Sequence, residues 1–446
     1  MKRLVGLALV LSLSLAACGG QRGLSPMLPS TPTAMHGFAR IGRVPIPIKH
    51  VVIVFQENRT PDYLFQGVPG ADISKTGVTY KGEIVPLQPV SLAAGYDLGH
   101  GHSSWVKDYD FGKMDGFNRG LSHKKRLRPF GYAPMSEVRP YYEMATQYAF
   151  ADRMFASNQG PSFPAHLYII AGRATDKSLT PNIVENNPGH AGGKHPSPGG
   201  CDSPAGTVVE TINAKTGNQG PTPFPCFDPP VLSDFLDAKG ITWRYYQTHR
   251  GAGLWHGYDA VRHVRYGKDY ENVVWPSESV LTDIASNRLA DVSWVTPSDA
   301  WSDHAGPRST AEGPSWVAAI VNAIGKSAYW QDTAIFITWD DWGGWYDHVA
   351  PPIDNYYELG FRVPLVVVSP YAKAAYVSKA QHEFGSILAF TEEAFGIPKG
   401  TLDSTDKRAD DLMDMFDFSQ KARAFKRIHA PRFRGVSVGH IDEEDP

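Results

Sequence analysis

The chain has 446 residues, of which 42% are hydrophobic and 12% aromatic, enough apolar material for a sizeable core in one large domain or two ordinary ones. Its 43 Lys and Arg oppose 46 Asp and Glu for a formal charge of -3, and no basic block stands out that would track a phosphate backbone, so nucleic acid is excluded as an expected partner.

In chain order, Met1-Lys2-Arg3 is followed by an apolar run over 4–15 and then by Leu15-Ala16-Ala17-Cys18-Gly19. A basic start, a short apolar stretch and small residues make an export signal, too short for an ordinary membrane span. The Leu-Ala-Ala-Cys ending resembles a bacterial lipoprotein signal. That implies removal of residues 1–17, lipid on Cys18, and an exported protein held by this lipid to a membrane of the cell envelope, facing the periplasm or the outside. An ordinary secretory signal with a chance cysteine is the alternative. Residues 18–48, rich in Pro, Ser, Thr and Gly, read as a flexible linker, and 49–446 as a single domain.

The folded part opens with a continuous apolar strand over 48–55, of the kind found inside parallel or mixed sheets. It runs out into Gln56-Glu57-Asn58-Arg59-Thr60, and Pro61 suits a helix start. A polar stretch follows with His100-Gly101-His102, where two histidines can face one cleft or simply be solvated. A strand over 148–156 leads to Gly160-Pro161-Ser162, ahead of a helix-compatible apolar run. Ser162 fits a helix N-cap, and it also fits a nucleophile at a helix N-terminus, where backbone N–H groups face a phosphoryl group.

Residues 182–230, dense in Gly, Pro, Asn and Ser, read as a long insertion without a core of its own. Cys201 and Cys226 lie in it. In an oxidising compartment such a pair tends to bridge, and neither has CxxC spacing or a local His that would suggest metal ligation or nucleophilic chemistry. Further strands are predicted over 241–246, 291–295, 333–337 and 363–368, with helices over 315–324 and 381–395, the last stopped by Gly396 and Pro398. This alternation indicates an α/β sandwich, and the charged tail over 401–446 is expected to wrap its surface.

The strand over 333–337 empties into Thr338-Trp339-Asp340-Asp341-Trp342-Gly343-Gly344. Adjacent acids at a core strand's end form either an acidic turn or one wall of a cation site. Ligands of such sheets gather outside the carboxyl ends of the strands, where Glu57, Asn58, Ser162, Asp340 and Asp341 all fall. Oxygen ligands without cysteine suit Mg, Ca or Mn, with Fe and Zn as further options.

Four segments carry a family likeness: 51–60, Ser162-Phe163-Pro164-Ala165-His166, 338–344 and Arg362-Val363-Pro364-Leu365. In this order they resemble the bacterial phosphoesterase family that joins phosphatidylcholine-type phospholipases C and AcpA-like acid phosphatases. The resemblance implies an alkaline-phosphatase-like three-layer α/β sandwich with a central, mostly parallel sheet and long loop insertions. It implies one divalent metal ion (Mg, Ca, Mn, Fe or Zn) on Glu57, Asn58, Ser162, Asp340 and Asp341, with Ser162 as the nucleophile that becomes phosphorylated. His100 and His304 resemble the histidines that hold phosphate oxygens or protonate the leaving group, and His348 is a further candidate. The implied substrate is a phosphate ester, a small molecule or a phospholipid headgroup. Thr commonly replaces the nucleophilic Ser in the phospholipase branch, so Ser162 tilts the chain toward the acid phosphatases. A sulfatase is opposed because Cys226 reads Cys-Phe-Asp-Pro-Pro and not Cys-x-Pro-x-Arg. An inactive binding lipoprotein would need missing ligands, and none is missing.

Overall fold

The computed structural model describes residues 45–190 and 197–430. The expected signal peptide, Cys18 and most of the linker lie outside the described residues, as do 191–196 of the insertion and 431–446 of the tail.

Val51 to Phe55 are fully buried because their strand, His50–Gln56, lies inside an eight-stranded sheet with parallel partners on both sides. Across the sheet the order is Val273–Val274, Trp243–Tyr246, Val292–Val295, His50–Gln56, Thr333–Trp339, Leu365–Val368, Ala149–Ala151 and Tyr376–Ser378. Leu365–Val368 alone runs against its neighbours, so the sheet is mostly parallel, as expected. Side chains three apart on a strand face opposite sides. Phe336 packs on Phe390 of the helix Phe384–Ala394, whereas Trp339 packs on Tyr141 of the helix Met135–Gln147. Helices therefore cover both faces, which makes the three layers.

The helix expected over 315–324 spans Gly313–Gly325, and the one expected over 381–395 spans Phe384–Ala394, with Gly396 just beyond it at φ 64°. The strand expected over 148–156 shortens to Ala149–Ala151, since the following residues form only isolated bridges with His382 and Arg362. The tail, expected to wrap the surface, is partly built into the core as far as it is described: Leu412, Met415 and Ile428 are fully buried, and Asn322 exchanges two 2.9 Å hydrogen bonds with the backbone of Ile428.

The insertion departs from expectation. It forms two small antiparallel pairs, Asn182–Val184 with Thr211–Asn213 and Gly189–His190 with Thr207–Val208. Val184, Val209, Ile212 and Phe227 enter the main core, so the segment shares that core and is not simply appended to it. Cys201 and Cys226 are disulfide-bonded, as expected. A second, smaller cluster joins Trp105, Phe117, Phe130, Trp342, Tyr346 and Phe361. Among the described residues no helix is long and apolar enough to cross a membrane.

The bridge closes a separation of 25 residues and restricts the unfolded chain. Replacing both cysteines with serine is expected to lower the unfolding free energy by about 3 kcal/mol, read by denaturant titration.

Candidate active site

The site follows from strand register. Gln56 pairs with Trp339 at the ends of the two central parallel strands, so the next residues, Glu57 and Asp340, emerge side by side. Asp340 N donates to Gln56 O at 2.9 Å, and Asn58 N donates to Asp340 Oδ1 at 2.7 Å. The same oxygen accepts from Asp341 N at 2.7 Å, while Gly343 N donates to Asp341 Oδ1 at 2.6 Å. Asn58 has φ 57°, a left-handed backbone that a non-glycine residue holds only under constraint. Part of that constraint is Gly343, itself at φ 61°, where a Cβ would sit 2.4 Å from Asn58 O.

Ser162 is the first residue of the helix Ser162–Ala171, not its cap, and its hydroxyl turns away from the helix. Oγ lies 3.2 Å from Glu57 Oε2 and 3.5 Å from both Asn58 Oδ1 and Asp341 Oδ2. The N-cap alternative for its hydroxyl is thereby excluded. Pro161 and Pro164 flank the first turn, and Asn187, from the insertion, accepts from Phe163 N at 2.9 Å. One turn on, His166 Nε2 meets Glu57 Oε1 at 2.9 Å. Burial pushes His166 down to about 4, so the ring is neutral at ordinary pH and donates from Nε2 to the carboxylate.

His100 and His304 approach from the opposite side, their ring centroids 5.7 Å apart. Each places Nδ1 2.6 Å from a backbone carbonyl, Leu98 O and Ala305 O respectively. A carbonyl only accepts, so both Nδ1 atoms carry hydrogen and both Nε2 atoms are left for the site. Burial opposes a charge on His100, yet Asp341, Asp97 and the Leu98 carbonyl together raise it to about 9. Burial instead lowers His304, against the pull of Asp97 and with the repulsion of His100. The loop bearing His304 is fixed through Asp303, whose Oδ2 accepts from Tyr141 at 2.8 Å and Trp339 Nε1 at 3.0 Å.

These side chains fit a divalent cation. Glu57, Asp340 and Asp341 are fully buried together. Burial first, and then Asp340, pushes Glu57 and Asp341 well above the usual carboxylate range. The Asn58 amide adjoins these carboxylates. Its oxygen points to the carboxylates, and apart from the Ser162 hydroxyl it meets only acceptors. The reversed amide would instead donate to Asp340 at 3.0 and 3.2 Å and to Glu57 at 3.3 Å. It would also accept from His304 Nε2 at 3.0 Å and His100 Nε2 at 3.2 Å. With its oxygen inward the amide adds a further oxygen for a cation and places Nδ2 3.2 Å from His100 Nε2, and reversed it hydrogen-bonds the carboxylates in the cation's place. A cation there also removes part of the field that raises His100.

Of the residues expected at the site, Glu57, Asn58, Ser162, Asp340, Asp341, His100 and His304 come together. His348 does not: Nδ1 lies 2.8 Å from Asp62 Oδ2 and Nε2 3.0 Å from Asp72 Oδ1, in a separate ion network that also holds Asp347 and Arg362. The glycine pair at 343–344 turns the chain away from the strand end, so proximity in sequence misleads there. His166 was missed as a site residue, although its spacing of four from Ser162 puts both on one helix face. Asn187 and Asp303 carried no sequence signal.

A cavity of about 350 Å³ opens over Ser162, lined also by Asp97, Leu254, Trp255, Asp299 and His304. A second, more open hollow shares Asp97 and Asn187 with it and reaches His100.

Residues 48–398 match the Phosphoesterase family. The chain belongs to that family. Among phosphoesterase relatives, the hemolytic phospholipase C of Pseudomonas aeruginosa is 25% identical over 90% of this chain and 60% of its own length. Phospholipase C B of Mycobacterium tuberculosis is 22% identical over 87% of this chain and 81% of its own. The chain spans 55–60% of the length of the Pseudomonas and Burkholderia phospholipases C that it matches. A solved protein of the alkaline phosphatase superfamily from Vibrio parahaemolyticus is 12% identical, with 82% of this chain and 70% of that chain covered at a TM-score of 0.39.

Gly343→Ala is expected to displace Asn58 and weaken divalent-ion binding at least about tenfold by calorimetry, with the fold retained. Carboxylates with raised pKa stabilise the metal-free fold at low pH, and that contribution is lost as pH rises through their folded-state values. A bound cation keeps them ionised. The gain in Tm on adding a divalent ion to chelated protein is therefore expected to grow from pH 5 to pH 8, by about that lost contribution, in scanning calorimetry.

Proposed function

We propose that this phosphoesterase is a metal-dependent phosphoric ester hydrolase, an acid-phosphatase-like phosphomonoesterase acting through a phosphoserine intermediate. The observation that carries the reading is Ser162 Oγ within 3.2–3.5 Å of Glu57, Asn58 and Asp341, beneath an open cavity. Glu57, Asn58, Asp340, Asp341 and Ser162 would hold one divalent ion, which supplies neutralisation of phosphoryl charge and a lower cost of ionising the serine.

Ser162 Oγ attacks phosphorus in line with the ester oxygen, and its own proton has Glu57 Oε2 as the nearest acceptor. The Oγ–P bond forms as the P–O bond to the leaving group breaks. His100 or His304 gives that oxygen a proton from Nε2, the Nδ1–H being held by the backbone. Water entering the vacated position then attacks phosphorus and returns a proton to the same Nε2, and as the P–Oγ bond breaks Ser162 Oγ takes its proton back from Glu57. His166 keeps Glu57 turned toward Ser162 by its hydrogen bond.

The serine favours the phosphomonoesterase reading, as the family resemblance implies. A second reading, a phospholipase C, is supported by the relatives named above and by the cavity wall. Trp255 with Asp97 and Asp299 offers an aromatic face and carboxylates to a cationic headgroup. For the envelope location and the lipid on Cys18 we propose what the N-terminal sequence implies, an anchored exported protein.

Ser162→Ala is expected to lower turnover at least about a thousandfold with Tm nearly kept, and retained activity would remove the nucleophile assignment. Hydrolysis of an aryl phosphate against its phosphocholine ester separates the two readings, and turnover of the choline ester alone would establish the second.

A further inference from the structure

The expectation that no basic block stands out has one local exception in the sequence itself. Residues 116–136 contain Arg119, Lys124, Lys125, Arg126 and Arg128 and no Asp or Glu, in a chain whose formal charge is -3. The segment is a series of tight turns, with Lys125 N donating to Ser122 O at 2.9 Å and Arg128 N to Lys125 O at 3.0 Å. Its two feet, Phe117 and Phe130, are buried in the smaller aromatic cluster with Trp342 and Tyr346. The cations are thus carried on a rigid footing, directly behind the turn that bears Asp341.

Lys124, Lys125 and Arg128 pair with no carboxylate among the described residues. Arg128 lies over the ring of Tyr96, 4.3 Å from its centroid, and Tyr96 precedes Asp97 at the rim of the cavity over Ser162. The basic turns therefore flank the mouth of the site.

Large apolar side chains are exposed among these charges. Leu127 is 41% exposed inside the run, and Ile84 is 74% exposed next to Glu83, which pairs with Arg126 at 3.0 Å. Phe111 is 92% exposed and held at φ 57°, beside Asp110, which pairs with Arg119 at 2.8 Å. An exposed aromatic ring on a strained backbone is doubly unfavourable in water and calls for an apolar occupant.

We propose that this face, Lys124, Lys125, Leu127 and Arg128 with Ile84 and Phe111, docks on an anionic lipid surface and sets the mouth of the Ser162 cavity against it. Cations drawn to the headgroups and apolar side chains entering the acyl boundary are the two parts of interfacial binding. A nucleic acid backbone uses the cations and leaves Leu127, Ile84 and Phe111 without a role, so the bilayer is favoured. The proposal concerns binding and stands independently of which ester Ser162 cleaves.

The test is co-sedimentation of the full chain with vesicles of phosphatidylcholine alone and of phosphatidylcholine mixed with phosphatidylglycerol. Lipid on Cys18 would bind both compositions alike and leave their difference intact. Binding to the anionic vesicles is expected to exceed binding to the neutral ones at least about tenfold and to fall with added salt. K124E/K125E is expected to abolish the preference with Tm unchanged, and L127S or F111S to weaken binding to the anionic vesicles without altering charge. Equal binding to both compositions, an undiminished preference in K124E/K125E, or salt-sensitive binding to duplex DNA that exceeds vesicle binding and ignores L127S would each overturn the proposal.

Discussion

Three carboxylates forced together at the ends of two adjacent parallel strands are the constraint on which the rest of this structure depends. Gln56 opposite Trp339 leaves Glu57 and Asp340 no way to emerge except side by side, and Asp341 follows within one residue. Water cannot relieve that repulsion, because all three are fully buried. Protons or a cation must do so. Much of the surrounding architecture serves to keep these oxygens in place: the backbone N–H groups of Asn58, Asp341 and Gly343, the neutral ring of His166, and the left-handed turn at Asn58. None of these devices supplies positive charge. They fix geometry and leave the charge to a ligand.

The helix and the loops are subordinate to that arrangement. Ser162 gains its position because its helix packs on the sheet beside the helix Phe384–Ala394, with Phe55 edge-on to both His166 and Phe384. The histidines are held by backbone carbonyls at Nδ1, with Asp97 3.7 Å from the same atom of His100, so their Nε2 atoms turn to the site. Nucleophile, ligands and proton donors thus come from five separate stretches of chain.

What the sequence made legible was whatever a single stretch could announce. Continuous apolar runs identified the central strands, and the acids and serine just beyond them identified the site. The strands Val273–Val274 and Tyr376–Ser378 were not legible, because two or three residues carry no periodicity and exist only through their neighbours in the sheet. His348 misled for the opposite reason: it is seven residues from Asp341 in sequence, yet bonded to Asp62 and Asp72. The insertion looked coreless because its apolar residues are sparse, while in space Val184 and Ile212 borrow the main core. The basic run over 124–128 was legible as a local run, and a near-neutral total charge hid it.

The first turn of the helix Ser162–Ala171 carries a consequence for anions. A helix start ordinarily offers several free N–H donors, which makes it receptive to any phosphate or sulfate that arrives. Here Pro161 and Pro164 have no N–H, and Phe163 N is already engaged by Asn187, so Ser162 alone keeps a donor for a ligand. The general-purpose anion nest that the sequence suggested has been dismantled down to one group. An anion meeting the protein without its cation finds three carboxylates, a single amide of this helix and the imidazoles of His100 and His304. The start of this helix therefore leaves the holding of a phosphoryl group chiefly to groups outside it, the cation and the two histidines.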